Sequence, residues 1–166
     1  MTLNQDDRKF LQHAINLSRK SLSEEGKTPF GAIIVIDGEI VSEGTSSVVE
    51  LRDPTAHAEV MALRAAGETL QRHLFEDGVM YSSSEPCPMC LAACYWARLP
   101  RLVFGATSND VAISGFEDIQ FYRELAYPIE RRFLREEAAD GSLRAEATGV
   151  LQGWVDQLPE PVVPKL

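Results

Sequence analysis

Residues 55–98 read TAHAEVMALRAAGETLQRHLFEDGVMYSSSEPCPMCLAACYWAR, and they decide the fold. Val60, Leu63 and Leu70 recur at helical spacing, with Thr55 as a side-chain cap at the start. A short strand follows at 78–83. Pro86 then introduces a second helix over 87–98, which Pro100 closes. One helix, one turn and one strand separate the two helix starts. A crossover of that length brings both helix N-termini to one end of a sheet.

Upstream, FGAIIVI at 30–36 is a buried strand, Asp37-Gly38 a type I′ turn signal and EIVSEG the return strand, so 30–44 is a β-hairpin. Residues 5–24 form an amphipathic helix, with Leu11, Ile15 and Ser18 on one face, Phe10, Ala14 and Leu17 beside them, and Gly26 beyond its end. TSSVVELRDPT at 45–55 reads as a loop. Downstream, RLVFGAT at 101–107 is a strand, 108–118 a loop, 120–126 a short helix and 146–157 another helix before a proline-rich tail. Helices alternating with strands predict an α/β domain with a partly parallel sheet covered on both faces, the hairpin giving an antiparallel edge. The chain reads as one domain over 1–166, with a core at about 5–127 and 128–166 as a segment available to a dimer.

The 166 residues are 45% apolar and 25% charged, which excludes collagen, a disordered tail and a disulfide scaffold. No apolar run exceeds the length of 30–36, and a membrane helix needs about 20 residues. The opening MTLNQDDRKF has neither a basic nor an apolar leader region, so a cytoplasmic location is expected. Lys and Arg number 16 against 25 Asp and Glu, a net charge of −9. Nucleic acid is a disfavoured partner for such a chain, because phosphate contacts dominate that kind of affinity.

The three cysteines, Cys87, Cys90 and Cys94, are clustered and odd in number, which reads as a metal or redox site. Cys87 and Cys90 share the face of a helix's first turn, where the helix dipole favours thiolates. His57, at the start of the other helix, adds an imidazole. Three such ligands leave one tetrahedral position for water, the arrangement of a catalytic zinc. Glu59, two positions from His57, does not share its radius, so it is the candidate proton carrier. His-x-Glu followed by Pro-Cys-x-x-Cys is the pattern of zinc nucleobase deaminases, in which the glutamate is acid and base but no ligand. A fourth-ligand role for Cys94 would make the zinc structural. Cys94 lies one turn deeper, and the reading for it is a small buried residue.

TAHAEVMALRAA, EPCPMCLAACYWAR and AISGFEDIQFYRE make the chain resemble the cytidine-deaminase superfamily over about 10–127, the guanine deaminase branch first and tRNA adenosine deaminases next. The resemblance implies a three-layer α/β/α sandwich with a mixed, mostly five-stranded sheet, one zinc per chain and a homodimer. It implies His57, Cys87 and Cys90 as ligands, Glu59 and Asp118 as catalytic carboxylates, and Phe30, Ser46, Ala58 and Phe116 as substrate contacts. Ser46 stands where the family usually has an asparagine. An asparagine offers a donor and an acceptor, whereas a serine is shorter and rotates.

Three functions stay open: a deaminase of free bases, guanine first but also another purine, pyrimidine or triazine-like ring or a nucleoside; a tRNA adenosine deaminase; and a zinc-stabilised binding module without catalysis. The substrate expected is a small nucleobase-like molecule. Trp96 reads as a packing residue. Arg131, Arg132 and Arg135, interleaved with Glu130, Glu136 and Glu137, read as a solvated helix face. Asp110 and Glu117 have no role assigned by pattern.

Overall fold

The structure is a computed structural model that describes residues 2–160; the end of the expected proline-rich tail lies outside them. Residues up to Ala126 form one compact unit, and those from Tyr127 on form a second.

The first unit is organised by the hairpin of β1 (Thr28–Ile36) and β2 (Glu39–Ser46). Asp37 and Gly38 take φ of 51° and 78°, the left-handed pair that a type I′ turn requires. β1 also pairs antiparallel with β3 (Gly78–Ser84), and β3 pairs parallel with β4 (Arg101–Ala106), giving the order β2-β1-β3-β4. Among the described residues the sheet therefore has four strands, and the expected fifth is absent. The chain after β4 turns helical at once, as α5 (Ser108–Ile113) and α6 (Asp118–Ala126). Thr107 and Asp110 form a reciprocal capping box that starts α5, so the expected loop at 108–118 is largely helix.

β1 is apolar and buried from Gly31 to Ile36 because both of its faces are covered there. Ile33 and Val35 pack with Phe10, Ala14 and Leu17 of α1 (Gln5–Ser18). Ala32, Ile34 and Ile36 face the other way, onto α3 (Ala58–Leu70), with Cys94 of α4 (Pro88–Trp96) in the same cluster. The expected stripe on α1 is turned by a few tens of degrees: Asp7, Phe10, Ala14 and Leu17 are buried. A 3₁₀ turn, Arg19–Leu22, finishes that helix. A further short helix, α2 (Val48–Leu51), occupies the expected loop after the hairpin.

The buried residues of α3 are Ala58, Glu59, Ala62 and Ala66, while Leu63 and Leu70 only flank the core. Close approach to the hairpin is the reason. A Cβ placed on Gly44 would lie 2.1 Å from the Ala58 carbonyl oxygen and 2.5 Å from the Ala62 nitrogen. Only alanines fit the helix face opposite such a contact.

At the far end of the sheet the buried carboxylate of Asp7 accepts two bonds from Arg101 (2.6 and 2.8 Å), one from the Tyr81 hydroxyl (2.8 Å) and one from the Asn4 backbone N–H (3.2 Å). Trp96, expected to pack, is 80% exposed. The last turn of α4 carries it past the edge of the core.

The second unit contains a 3₁₀ turn, Ile129–Arg131, and α7 (Gly141–Val155), which starts earlier than the sequence pattern suggests. Arg132 pairs with Glu136 (2.8 Å) and Arg135 with Glu137 (2.7 Å), so these charges neutralise one another. They lie on irregular chain after the 3₁₀ turn, where a helix face was expected.

Candidate metal centre and active site

Two helix N-termini meet at one end of the sheet. His57 is the N-cap of α3 and Cys87 the N-cap of α4; Thr55, the expected cap, lies two residues ahead of His57. Pro88 occupies the first turn of α4, where its fixed φ suits the helix and its missing N–H costs nothing. Cys90 follows on the same turn. His57 Nδ1 lies 3.6 Å from Cys87 Sγ, and the ligand atoms of His57, Cys87 and Cys90 all fall within 4.8 Å of one another.

This donor set fits zinc: one imidazole nitrogen and two sulfurs, with thiolate favoured. A hydrogen bond from Cys90 lowers the Cys87 thiol to about 4, and His57 adds to the effect. The bond with Cys87 in turn raises the His57 imidazole. Cys94 behaves otherwise. Burial, and then the nearby Glu59 charge, push its thiol up to about 12, and it sits in the apolar cluster outside the ligand group.

Glu59 is in the first turn of α3 and only 4% exposed. Burial pushes its carboxyl above the usual range. The Ser82 hydroxyl, itself buried, donates to Glu59 Oε1 at 3.2 Å. One carboxylate oxygen is thereby held from the sheet side.

A cavity of about 180 Å³ opens beside these groups, lined by Thr28, Phe30, Ser46, Val48, His57, Glu59, Ser84, Cys87, Phe116 and Asp118. It is smaller than the roughly 300–1,000 Å³ of sites for drug-sized molecules. Phe30 and Phe116 meet edge to face, with centroids 4.9 Å apart and planes at 77°. Asp118 opens α6, and burial, with the Cys87 charge behind it, raises its carboxyl. Two sequence candidates do not line the cavity: the metal-group residue Cys90, and Ala58, which lies fully buried between α3 and the hairpin. Asp110 is engaged in its capping box.

Five positions escape the sequence reading, among them Val48, which lines the cavity from the expected loop. Thr28 lines the cavity two residues before Phe30, and strand alternation could have placed both on one face. Ser82 and Ser84 come from the serine run of β3. Tyr122 donates to the Pro86 carbonyl at 2.8 Å and so ties α6, with Asp118, to the cysteine turn. No local pattern announces that last contact.

Residues 4–106 match the cytidine and deoxycytidylate deaminase zinc-binding region. The chain belongs to that family. It is 44% identical to guanine deaminase of Bacillus subtilis (strain 168) over 123 residues, 74% of this chain and 79% of that protein. The solved structure of the Bacillus subtilis guanine deaminase superposes with a TM-score of 0.87 at 36% identity, covering 96% of this chain and 99% of that one. Guanine deaminase from Nitrosomonas europaea gives a TM-score of 0.62 at 28% identity, with 70% and 66% covered. The tRNA-specific adenosine deaminase of Buchnera aphidicola subsp. Schizaphis graminum is 40% identical over 93 residues, 56% of this chain and 62% of that protein. The matched family region is a zinc-binding one, and His57, Cys87 and Cys90 form a group that could hold a metal ion. No helix among the described residues is long and apolar enough to cross a membrane.

Proposed function

We propose that the protein hydrolyses the exocyclic amine of a free aminated base, guanine first, yielding xanthine and ammonia. The observation that carries this reading is the convergence of two half-buried or buried carboxylates, Glu59 and Asp118, on one small cavity with the His57, Cys87 and Cys90 group. Zinc, which His57, Cys87 and Cys90 would hold, would supply a Lewis acid and lower the pKa of a water there to about 7. Glu59 takes the proton that water gives up and delivers it to the ring nitrogen beside C2. The water oxygen bonds to C2; as the C–N bond breaks, Glu59 takes the second proton from that oxygen and gives it to the leaving amine, and ammonia departs. Its raised pKa suits a group that must both hold and release a proton. Ser82 fixes one Glu59 oxygen and leaves the other to move the proton. Asp118 accepts from the N–H groups of the ring, and Phe30 and Phe116 offer it aromatic surface.

The similarity to tRNA-specific adenosine deaminases supports a second reading, but the net charge of −9 opposes binding of a polyanion. In the reading we favour, the protein is a cytoplasmic homodimer whose segment from 128 on takes part in assembly.

Ammonia release across free bases, nucleosides and a tRNA anticodon stem tests the proposal. Guanine should be the best substrate. Glu59→Gln should keep zinc and lose turnover by about 10²–10⁴-fold. Asp118→Asn should lower kcat/KM on guanine by about 10–100-fold, the worth of one charged hydrogen bond. Deamination of tRNA with guanine untouched would overturn the reading.

A further inference from the structure

We infer that Thr28 is a specificity-determining residue that acts through Ser46, orienting its hydroxyl to read an oxygen on the substrate ring. This rests on the base-deaminase reading above. Thr28 and Ser46 both line the cavity, and Ser46 is only 2% exposed. They are cross-strand partners: Thr28 Oγ1 donates to Ser46 Oγ at 2.5 Å. Their pairing is built into an irregularity of the hairpin. Gly31 faces Thr45, so an unbroken register would set Phe30 opposite Ser46; the shift between Thr28 and Gly31 brings Thr28 there instead. The bulge thus frees Phe30 for its edge-on contact with Phe116 and places a second hydroxyl at the cavity wall.

A hydroxyl has one hydrogen and two lone pairs. The Thr28 hydrogen is spent on Ser46, and one Ser46 lone pair is spent on Thr28. The Ser46 hydrogen is left for the cavity. The other polar groups there include two carboxylates, Glu59 and Asp118, which accept when ionised, and Ser84, on the strand that leads into the metal turn. The wall therefore presents a donor from the hairpin and acceptors from the helices. That polarity suits a ring carrying both N–H groups and a carbonyl oxygen, an aminated lactam. Without Thr28, the Ser46 rotor is free to turn back to a local carbonyl, and the ring oxygen goes unpaired.

The test compares kcat/KM for guanine and for 2-aminopurine, which keeps the 2-amino group but lacks the ring oxygen. For a base that binds without turnover, an inhibition constant takes its place. Zinc content and unfolding are followed in every variant. Thr28→Val should reduce the guanine preference by about tenfold, the upper worth of one neutral hydrogen bond, mainly through KM. Thr28→Ser should restore it. Ser46→Ala should show the same reduction, and the double variant should lose no more than either single, because Thr28 acts only through Ser46. A preference within about twofold of wild type in Thr28→Val, or single losses that multiply in the double variant, would overturn the inference. Should Thr28→Val fail to bind zinc, Thr28→Ala and Ser46→Ala carry the same comparison. Wild-type protein that releases ammonia from no base would instead overturn the deaminase reading itself, and the pair's role with it.

Discussion

Gly44→Ala is the substitution for which the structure gives the sharpest expectation. The new Cβ would stand 2.1 Å from the Ala58 oxygen and 2.5 Å from the Ala62 nitrogen, where ordinary contact begins at 3.4 Å. Both are backbone atoms, spaced as the partners of one helical turn, so no side-chain rotation relieves the clash. α3 must withdraw by about 1.3 Å at that point, the difference between 3.4 and 2.1 Å. Overpacking of this kind costs about 1–3 kcal/mol, and the contact has no soft atom to absorb it, so we expect about 3 kcal/mol. The withdrawn turn is the one that carries His57 and Glu59. A displacement near 1 Å at reacting groups costs about 100-fold in rate. Urea unfolding, zinc analysis and kcat/KM on guanine should therefore show a stability loss of about 3 kcal/mol, with a disproportionate loss of activity. Gly149→Ala is the control: nothing lies within 4 Å of its added Cβ. In mid-helix it should stabilise by about 0.5–1 kcal/mol. A Gly44→Ala protein within about 1 kcal/mol of wild type and equally active would refute the packing argument.

Cys90→Ala should lose zinc while Cys94→Ala keeps it, by metal analysis; zinc loss in the Cys94 variant would mean a closed, structural site. Ser82→Ala should lower kcat by about tenfold with little change in KM, since it frees Glu59 without touching the ring, and Ser82→Thr should recover most of the loss. Arg101 first, then Tyr81 and the Asn4 amide, hold the Asp7 carboxyl well below its usual value of 3.8. A carboxyl lowered by folding stabilises above its unfolded pKa and ceases to do so as pH falls through its folded value. Unfolding measured from about pH 6 to about pH 2 should show wild type losing stability below about pH 4, with Asp7→Asn weaker at neutral pH and flatter in acid. Parallel acid limbs would exclude Asp7 as a source of the dependence.

The three residues that the fold brings together as a possible metal group were legible because their chemistry is local. His57, Cys87 and Cys90 lie on helix starts, and a helix start is announced by proline, turn residues and the onset of apolar periodicity. The hairpin was legible from Asp37-Gly38 for a similar reason. What failed depended on neighbours distant in sequence. The α3 stripe was assigned to Val60, Leu63 and Leu70 because large side chains usually fill cores, but Gly44 leaves room only for Ala58, Ala62 and Ala66. Helix α5 was missed although its Thr107 and Asp110 capping box is a sequence signal, since the following SNDVAI run is too short to show a period. Thr28 and Ser82 act through partners 18 and 23 positions away, a separation at which no spacing rule applies.

The Asp7 and Arg101 pair, 94 positions apart, bears on how the chain assembles. A ribosome adds about 5–20 residues per second. The hairpin is complete at Ser46, but the strand that covers the other side of β1 begins only at Gly78. For an interval on the order of seconds the nascent chain holds an isoleucine-rich strand with one side unpaired, an edge prone to join other chains. α1 is synthesised first of all, yet docking it early would bury a carboxylate with no guanidinium to meet it. The carboxylate on that helix gains its guanidinium partner only when β4 delivers Arg101. A single buried charge thus makes the oldest segment of the chain depend on the newest strand of the sheet for its partner.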